Sequence, residues 1–125
     1  MRNILSALLL LSAASCAMIG QPRPGYLVFF GEHSADLDPP AIKVIADAAA
    51  AAKAAPGSPV VVLGYTDSAG SPQADILLSQ RRAQRVSDAL VQDGVAPGRI
   101  SRQGRGQTRE DPGVASRRVE IDIGG

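Results

Sequence analysis

The sequence predicts an α/β (α+β) domain with elements in the order β-α-β-α-β-β. Two apolar runs, Tyr26–Phe30 and Val60–Leu63, are typical of buried strands, and each is followed by a capped helical segment. The last run, Val119–Ile123, alternates apolar and acidic residues and predicts a half-exposed strand. Alternating strands and helices favour parallel pairing of the early strands, and the last strand favours an antiparallel addition.

The first helix is predicted over Ala41–Ala55. Asp38 is a suitable N-cap, and the proline after it suits the first helical turn. Pro56-Gly57 ends the helix. The spacing predicts that one buried face carries Ile42, Ile45, Ala46 and Ala49.

The second helix is predicted from Ser71-Pro72 to about Asp93, where Gly94 ends it. A loop over residues 66–70 precedes this helix. Its predicted apolar stripe consists of Ile76, Ala83, Val86 and Leu90, and Ser79 and Arg82 are offset toward another side. A third strand is predicted over Ile100–Gly104, followed by a polar loop over residues 106–115.

The N-terminus has the layout of a secretory signal peptide over residues 1–15. The apolar run Ile4–Leu11 is too short to span a bilayer permanently. Ala13-Ala14-Ser15-Cys16 resembles a bacterial lipobox, which predicts acylation of Cys16 and a lipid anchor. Residues 16–25 then form the acylated cysteine and a short tether, and residues 26–125 form the domain. The nine tether residues after Cys16 reach at most about 30 Å.

Composition argues against two classes of function. The chain has 13 Lys and Arg against 12 acids and few aromatic residues, so no nucleic-acid partner is expected despite an arginine-rich C-terminal stretch. It contains one histidine, His33, and one cysteine, and it lacks a His-Glu-x-x-His pattern. No enzyme activity, metal or cofactor is therefore expected.

Asp67 and Arg82 are the residues best suited to bind a ligand. Asp67 follows a predicted strand, and Arg82 lies fifteen positions later on the predicted helix. Together they can hold a zwitterion, because the carboxylate takes an ammonium group and the guanidinium takes a carboxylate by two hydrogen bonds.

Simpler structural alternatives remain for each charged residue. Asp67 also suits a turn, and Arg82 also suits a solvated helix surface. Asp75 suits a helix N-terminus without any ligand. Arg117 and Arg118 also suit a strand edge that is protected from aggregation.

A series of short motifs occurs in a set order along the chain. They are Gly64-Tyr65-Thr66-Asp67, Gly70, Asp75, Leu78-Ser79, Arg82-Ala83, Val86, Leu90, Gly94, Arg99-Ile100, Gly104-Arg105-Gly106 and Arg117-Arg118-Val119-Glu120-Ile121. In this order they resemble the OmpA-like C-terminal domain family, of the peptidoglycan-associated lipoprotein type, over roughly residues 28–123. The resemblance implies a sandwich in which a mixed four-stranded sheet carries two main helices on one face.

The resemblance also implies a ligand and the residues that bind it. The family binds peptidoglycan noncovalently, and the residues matching Asp67 and Arg82 hold the free amino acid end of diaminopimelate in the stem peptide. Thr66 and Ser79 are expected to add hydrogen bonds, and Arg117 or Arg118 flanks the pocket. The remaining residue expected at the site, Asp75, stands where the family usually has asparagine. The loop before the arginine pair is also shorter than usual.

The expected function is therefore an outer-membrane lipoprotein that anchors the outer membrane to the cell wall. It would lie on the periplasmic face, held by its lipid and bound to peptidoglycan. Ala17 favours outer-membrane delivery by analogy with lipoprotein sorting. The alternative is a protein-interaction subunit of an envelope complex, with weak or no peptidoglycan binding.

Overall fold

The computed structural model of the chain describes residues 25–67, 70–108 and 113–124. The predicted signal peptide, Cys16 and the tether up to residue 24 lie outside the described residues. The strands are β1 (Tyr26–Phe29), β2 (Val60–Thr66), β3 (Ile100–Gln107) and β4 (Arg118–Ile123), and the main helices are α1 (Pro39–Ala54) and α2 (Pro72–Gln92). Short 3₁₀ turns cover Pro97–Arg99 and Gly113–Ser116.

The four strands form one mixed sheet in the order β1-β4-β2-β3. β2 and β3 are parallel, while β4 runs antiparallel to both β1 and β2. The predicted antiparallel addition of the last strand is confirmed. Parallel pairing of the early strands holds for β2 and β3 but not for β1, whose described partner is β4. β4 nevertheless lies inside the sheet, where it separates the first two strands. β2 also continues to Thr66 and β3 to Gln107, so both strands extend into segments predicted as loops.

Both predicted helix N-caps are confirmed. Asp38 Oδ1 accepts a hydrogen bond from the backbone N–H of Ala41 at 2.9 Å, and Ser71 Oγ accepts one from that of Ala74 at 3.1 Å. Each cap is followed by a proline whose missing N–H has no partner to lose in the first turn. None of the helices among the described residues is long and apolar enough to cross a membrane.

The predicted buried face of α1 is partly wrong. Ile42 is 55% exposed and Ala46 is also exposed. An alanine-rich helix offers little hydrophobic contrast around its circumference. The sequence therefore does not determine which face of α1 turns toward the core. The residues that α1 buries are Ala41, Ile45, Ala48, Ala49 and Ala52.

The prediction of a buried first strand holds for only one of its two faces. β1 is an edge strand, and its side chains alternate between the core and a sheet face that the helices leave uncovered. Val28 is buried, whereas Leu27 is 42% exposed and Phe29 is 43% exposed. Hydrophobicity alone did not distinguish a strand that is buried on both faces from one that is buried on a single face.

Helix α2 packs unusually close to the sheet at two glycines. A Cβ atom on Gly64 of β2 would lie 2.2 Å from the carbonyl oxygen of Ser79. A Cβ on Gly104 of β3 would lie 2.4 Å from the backbone nitrogen of Gln80. The absence of side chains at these two positions therefore sets the height of α2 above the sheet. This contact places the ligand-binding candidates of α2 beside the end of β2.

Candidate functional site

Asp67 and Arg117 form an ion pair at one end of the sheet. Asp67 directly follows β2 and Arg117 directly precedes β4, and these antiparallel neighbours bring the two residues together. Arg117 Nη1 lies 3.3 Å from Asp67 Oδ2, and the two side chains are 15% and 21% exposed. Arg117 Nε also donates to the carbonyl oxygen of Phe30 at 3.0 Å. The carboxylate is thus held in place but remains accessible to a ligand.

Arg82 lies beneath the loop between β1 and α1 and is fully buried. Its Nε donates to the Ser34 carbonyl at 2.7 Å, Nη1 to the Tyr65 carbonyl at 3.1 Å, and Nη2 to the Gly31 carbonyl at 2.9 Å. Its Cζ also lies 5.2 Å from the ring centroid of Phe30. The alternative of a solvated helix charge is therefore wrong for Arg82.

The charges around Arg82 balance. Burial lowers the pKa of Arg82, Asp67 and Asp75 raise it, and Arg117 lowers it further. These four side chains carry two positive and two negative charges. Arg82 uses three of its five N–H groups on backbone carbonyls, which leaves one on each terminal nitrogen for another acceptor.

Asp75 lies in the first turn of α2 and is buried. Its Oδ2 accepts a hydrogen bond from Gln107 Nε2 at 2.6 Å, which joins the start of α2 to the end of β3. The acid therefore has a structural partner in addition to the favourable helix N-terminus. No sequence signal pointed to Gln107, because its pairing with Asp75 depends on how two distant segments meet.

Thr66 and Ser79 are both fully buried. Ser79 Oγ donates to the Ile76 carbonyl at 2.7 Å and accepts from the backbone N–H of Gly106 at 2.9 Å. Its hydroxyl thus connects α2 to β3. Thr66 Oγ1 has no hydrogen-bond partner among the described residues. This small buried side chain lies where α2 packs closely on Gly64 of β2.

Arg118 lies apart from its neighbour Arg117. Its Cζ is 4.6 Å from the ring centroid of Tyr65, Nε donates to Glu120 Oε1 at 3.0 Å, and Nη1 donates to the Ala115 carbonyl at 2.9 Å. Consecutive residues at a strand point to opposite faces. Arg117 thus joins Asp67, whereas Arg118 packs on an aromatic ring.

Comparison with known proteins identifies relatives along most of the chain. The OmpA family matches residues 29–119. Probable lipoprotein YiaD from Escherichia coli (strain K12) is 36% identical over 103 residues, which cover 77% of this chain and 47% of that protein. Peptidoglycan-binding protein ArfA from Mycobacterium tuberculosis (strain ATCC 25618 / H37Rv) is 36% identical over 120 residues, which cover 90% of this chain and 35% of that protein. The chain spans less than half the length of these relatives.

A solved structure supports the same assignment at the level of the fold. The peptidoglycan-associated lipoprotein from Burkholderia pseudomallei matches with a TM-score of 0.71 and 23% identity, over 78% of this chain and 89% of that one. The predicted mixed four-stranded sheet with two helices is thereby confirmed. The family is non-enzymatic, in agreement with the prediction that the chain is not an enzyme. The match over residues 29–119 shows that this chain belongs to the OmpA family.

Proposed function

We propose that this chain binds peptidoglycan noncovalently by holding the zwitterionic end of diaminopimelate. The observation that carries the proposal is the accessible Asp67–Arg117 ion pair, whose charges also act on buried Arg82. The relative ArfA, a peptidoglycan-binding protein, supports peptidoglycan as the ligand.

The balanced charges suit a zwitterion better than an ion of one sign. A ligand ammonium can approach the Asp67 carboxylate, whose described hydrogen bond uses Oδ2 only. A ligand carboxylate can then accept from Arg117, whose side chain is 15% exposed. The ligand ammonium thus takes the place of Arg117 beside Asp67, and the ligand carboxylate takes the place of Asp67 beside Arg117. The site therefore favours a group that carries both charges, such as the amino acid end of diaminopimelate.

Replacing Asp67 by asparagine should weaken binding to diaminopimelate-type sacculi by about tenfold or more. A hydrogen bond to a charged group contributes about 1.5–3 kcal/mol, and the ammonium would lose this partner. The measurement is a sacculus pull-down with the chain from residue 21 onward. Asp47→Asn is the matched control, because Asp47 also pairs with a cation but lies on an exposed face of α1. Equal binding by the two variants would contradict the proposed diaminopimelate site at Asp67.

We further propose that the chain is held at the periplasmic face of the outer membrane by lipid on Cys16. Cys16→Ser should release the protein from membranes into the soluble fraction, because the modified thiol carries the anchor. Fractionation followed by mass spectrometry of the N-terminal peptide checks this expectation. Continued membrane association of the serine variant would show that the anchor lies elsewhere.

Interaction with another envelope protein is the second candidate function. The uncovered sheet face favours it, because Leu27 and Phe29 expose apolar surface there. The sacculus assay separates the two candidates. A protein-interaction subunit would show weak sacculus binding that is insensitive to Asp67→Asn.

A further inference from the structure

A second recessed surface lies where the β1–α1 loop meets α2, and Ser34 of the same loop accepts a hydrogen bond from Arg82. This groove of about 470 Å³ lies between that loop and the exposed side of α2. We call it the α2 groove; its lining residues are Ala35, Asp36, Leu77, Gln80, Arg81, Gln84 and Arg85. It contains none of the residues that form the Asp67–Arg117 pair.

The loop links the groove directly to buried Arg82. Ser34 accepts from Arg82 Nε through its carbonyl, and its hydroxyl accepts from the backbone N–H of Asp36 at 3.0 Å. Asp36 and the preceding residue, Ala35, then line the groove. The loop that holds Arg82 through Ser34 therefore also forms one wall of the α2 groove.

The groove presents two exposed cations with no described ion-pair partner. Arg81 and Arg85 stand one helical turn apart on α2, and neither makes an ion pair within the described residues. Like charges at this spacing destabilise a helix, and an anion bound between them relieves the repulsion. Guanidinium groups also match the planar, two-oxygen geometry of a carboxylate.

Two other residues of the groove restrict the kinds of ligand that it can bind. Leu77 is 53% exposed and offers an apolar surface one turn before Arg81. Asp36 offers an acceptor for an N–H group and repels a second negative charge. A polyanion would meet this repulsion, whereas the end of a peptide provides an amide N–H, a small apolar side chain and one carboxylate.

We propose that the α2 groove binds the C-terminal alanine of the peptidoglycan stem peptide. Arg81 and Arg85 take its terminal carboxylate, Leu77 contacts its methyl group, and Asp36 accepts from its amide N–H. This inference rests on the proposed function, because it assumes that diaminopimelate occupies the neighbouring site. This second contact would make the affinity depend on the length of the stem peptide and on the charge at its end.

The test compares two soluble ligands on the full chain in detergent by isothermal titration calorimetry. One is a disaccharide-tetrapeptide that contains diaminopimelate and ends in D-alanine, and the other is free diaminopimelate. Arg81→Gln combined with Arg85→Gln should raise the Kd for the tetrapeptide about tenfold and leave that for free diaminopimelate unchanged. A tetrapeptide with an amidated C-terminus should bind the unaltered chain as weakly as the acid form binds the double variant.

The matched control is Arg102→Gln combined with Arg105→Gln, which removes the same charge from exposed positions on β3. An equal loss with this control would overturn the proposal, because net charge would then explain the effect. An unchanged tetrapeptide Kd in the Arg81 and Arg85 variant, with binding lost in Asp67→Asn, would overturn the groove alone. If Asp67→Asn binds normally and the groove variant does not, the proposed diaminopimelate site at Asp67 is wrong, and binding of the terminal carboxylate in the α2 groove is supported.

A second ligand separates peptide from polyanion. Poly(glycerol phosphate) carries repeated negative charges but no alanine terminus, and Asp36 should disfavour it. If the groove variant loses this polymer as strongly as it loses the tetrapeptide, the groove is a general anion site and the proposal is wrong.

Discussion

Replacing Gly64 by alanine should lower the free energy of unfolding by about 3 kcal/mol, at the upper end of the range for overpacked cores. The added Cβ would lie 2.2 Å from the Ser79 carbonyl oxygen and 3.1 Å from its carbon. Both are backbone atoms of α2, so no side-chain rotation can relieve the clash. The helix must move away from β2, and the hydrogen bond between Ser79 Oγ and Gly106 must lengthen. Urea unfolding measures the loss.

Gly57→Ala is the control for this experiment. A Cβ at Gly57 would meet nothing within 4 Å, so the same chemical change should alter stability by no more than about 0.5 kcal/mol. Gly104→Ala should behave like Gly64→Ala, since its Cβ would lie 2.7 Å from Gln80 Cα. Similar unfolding midpoints for the Gly64 and Gly57 variants would show that α2 does not pack as closely on Gly64 as described.

Replacing Arg82 by methionine should destabilise the domain by about 3 kcal/mol or more. The change keeps a long side chain but leaves the carbonyls of Gly31, Ser34 and Tyr65 without their donor, and an unsatisfied buried acceptor costs about 1–3 kcal/mol. Backbone hydrogen exchange should increase in the β1–α1 loop before it increases elsewhere, because Arg82 holds that loop.

Arg85→Met is the matched control, because Arg85 lies on the same helix but is exposed. Its stability should stay within about 0.5 kcal/mol of the unaltered chain. If Arg82→Met unfolds at the same urea concentration as Arg85→Met, the three carbonyl contacts contribute little. A loss of ligand binding in an Arg82 variant can therefore be interpreted only together with its unfolding curve. Within the described part of the chain the Asp67 side chain is shown in one ion pair, with Arg117.

Local signals in the sequence were sufficient for the order of the elements. Asp38 and Ser71 marked both helix starts, because a cap acts on backbone N–H groups only three residues away. The alternation in Val119–Ile123 marked a strand with one exposed face. These signals failed for the rotation of α1 and the burial of β1, where the decisive contacts come from other elements.

The sequence by itself determined the family, the order of strands and helices, and the charged residues that merit testing. Tertiary structure alone decided that β4 lies between β1 and β2, that Arg117 rather than Arg118 meets Asp67, and that Arg82 is buried. The carbonyls that hold Arg82 lie 17, 48 and 51 positions away along the chain. No local periodicity records such partners, because hydrogen bonds over these separations form only when the sheet and helices pack together.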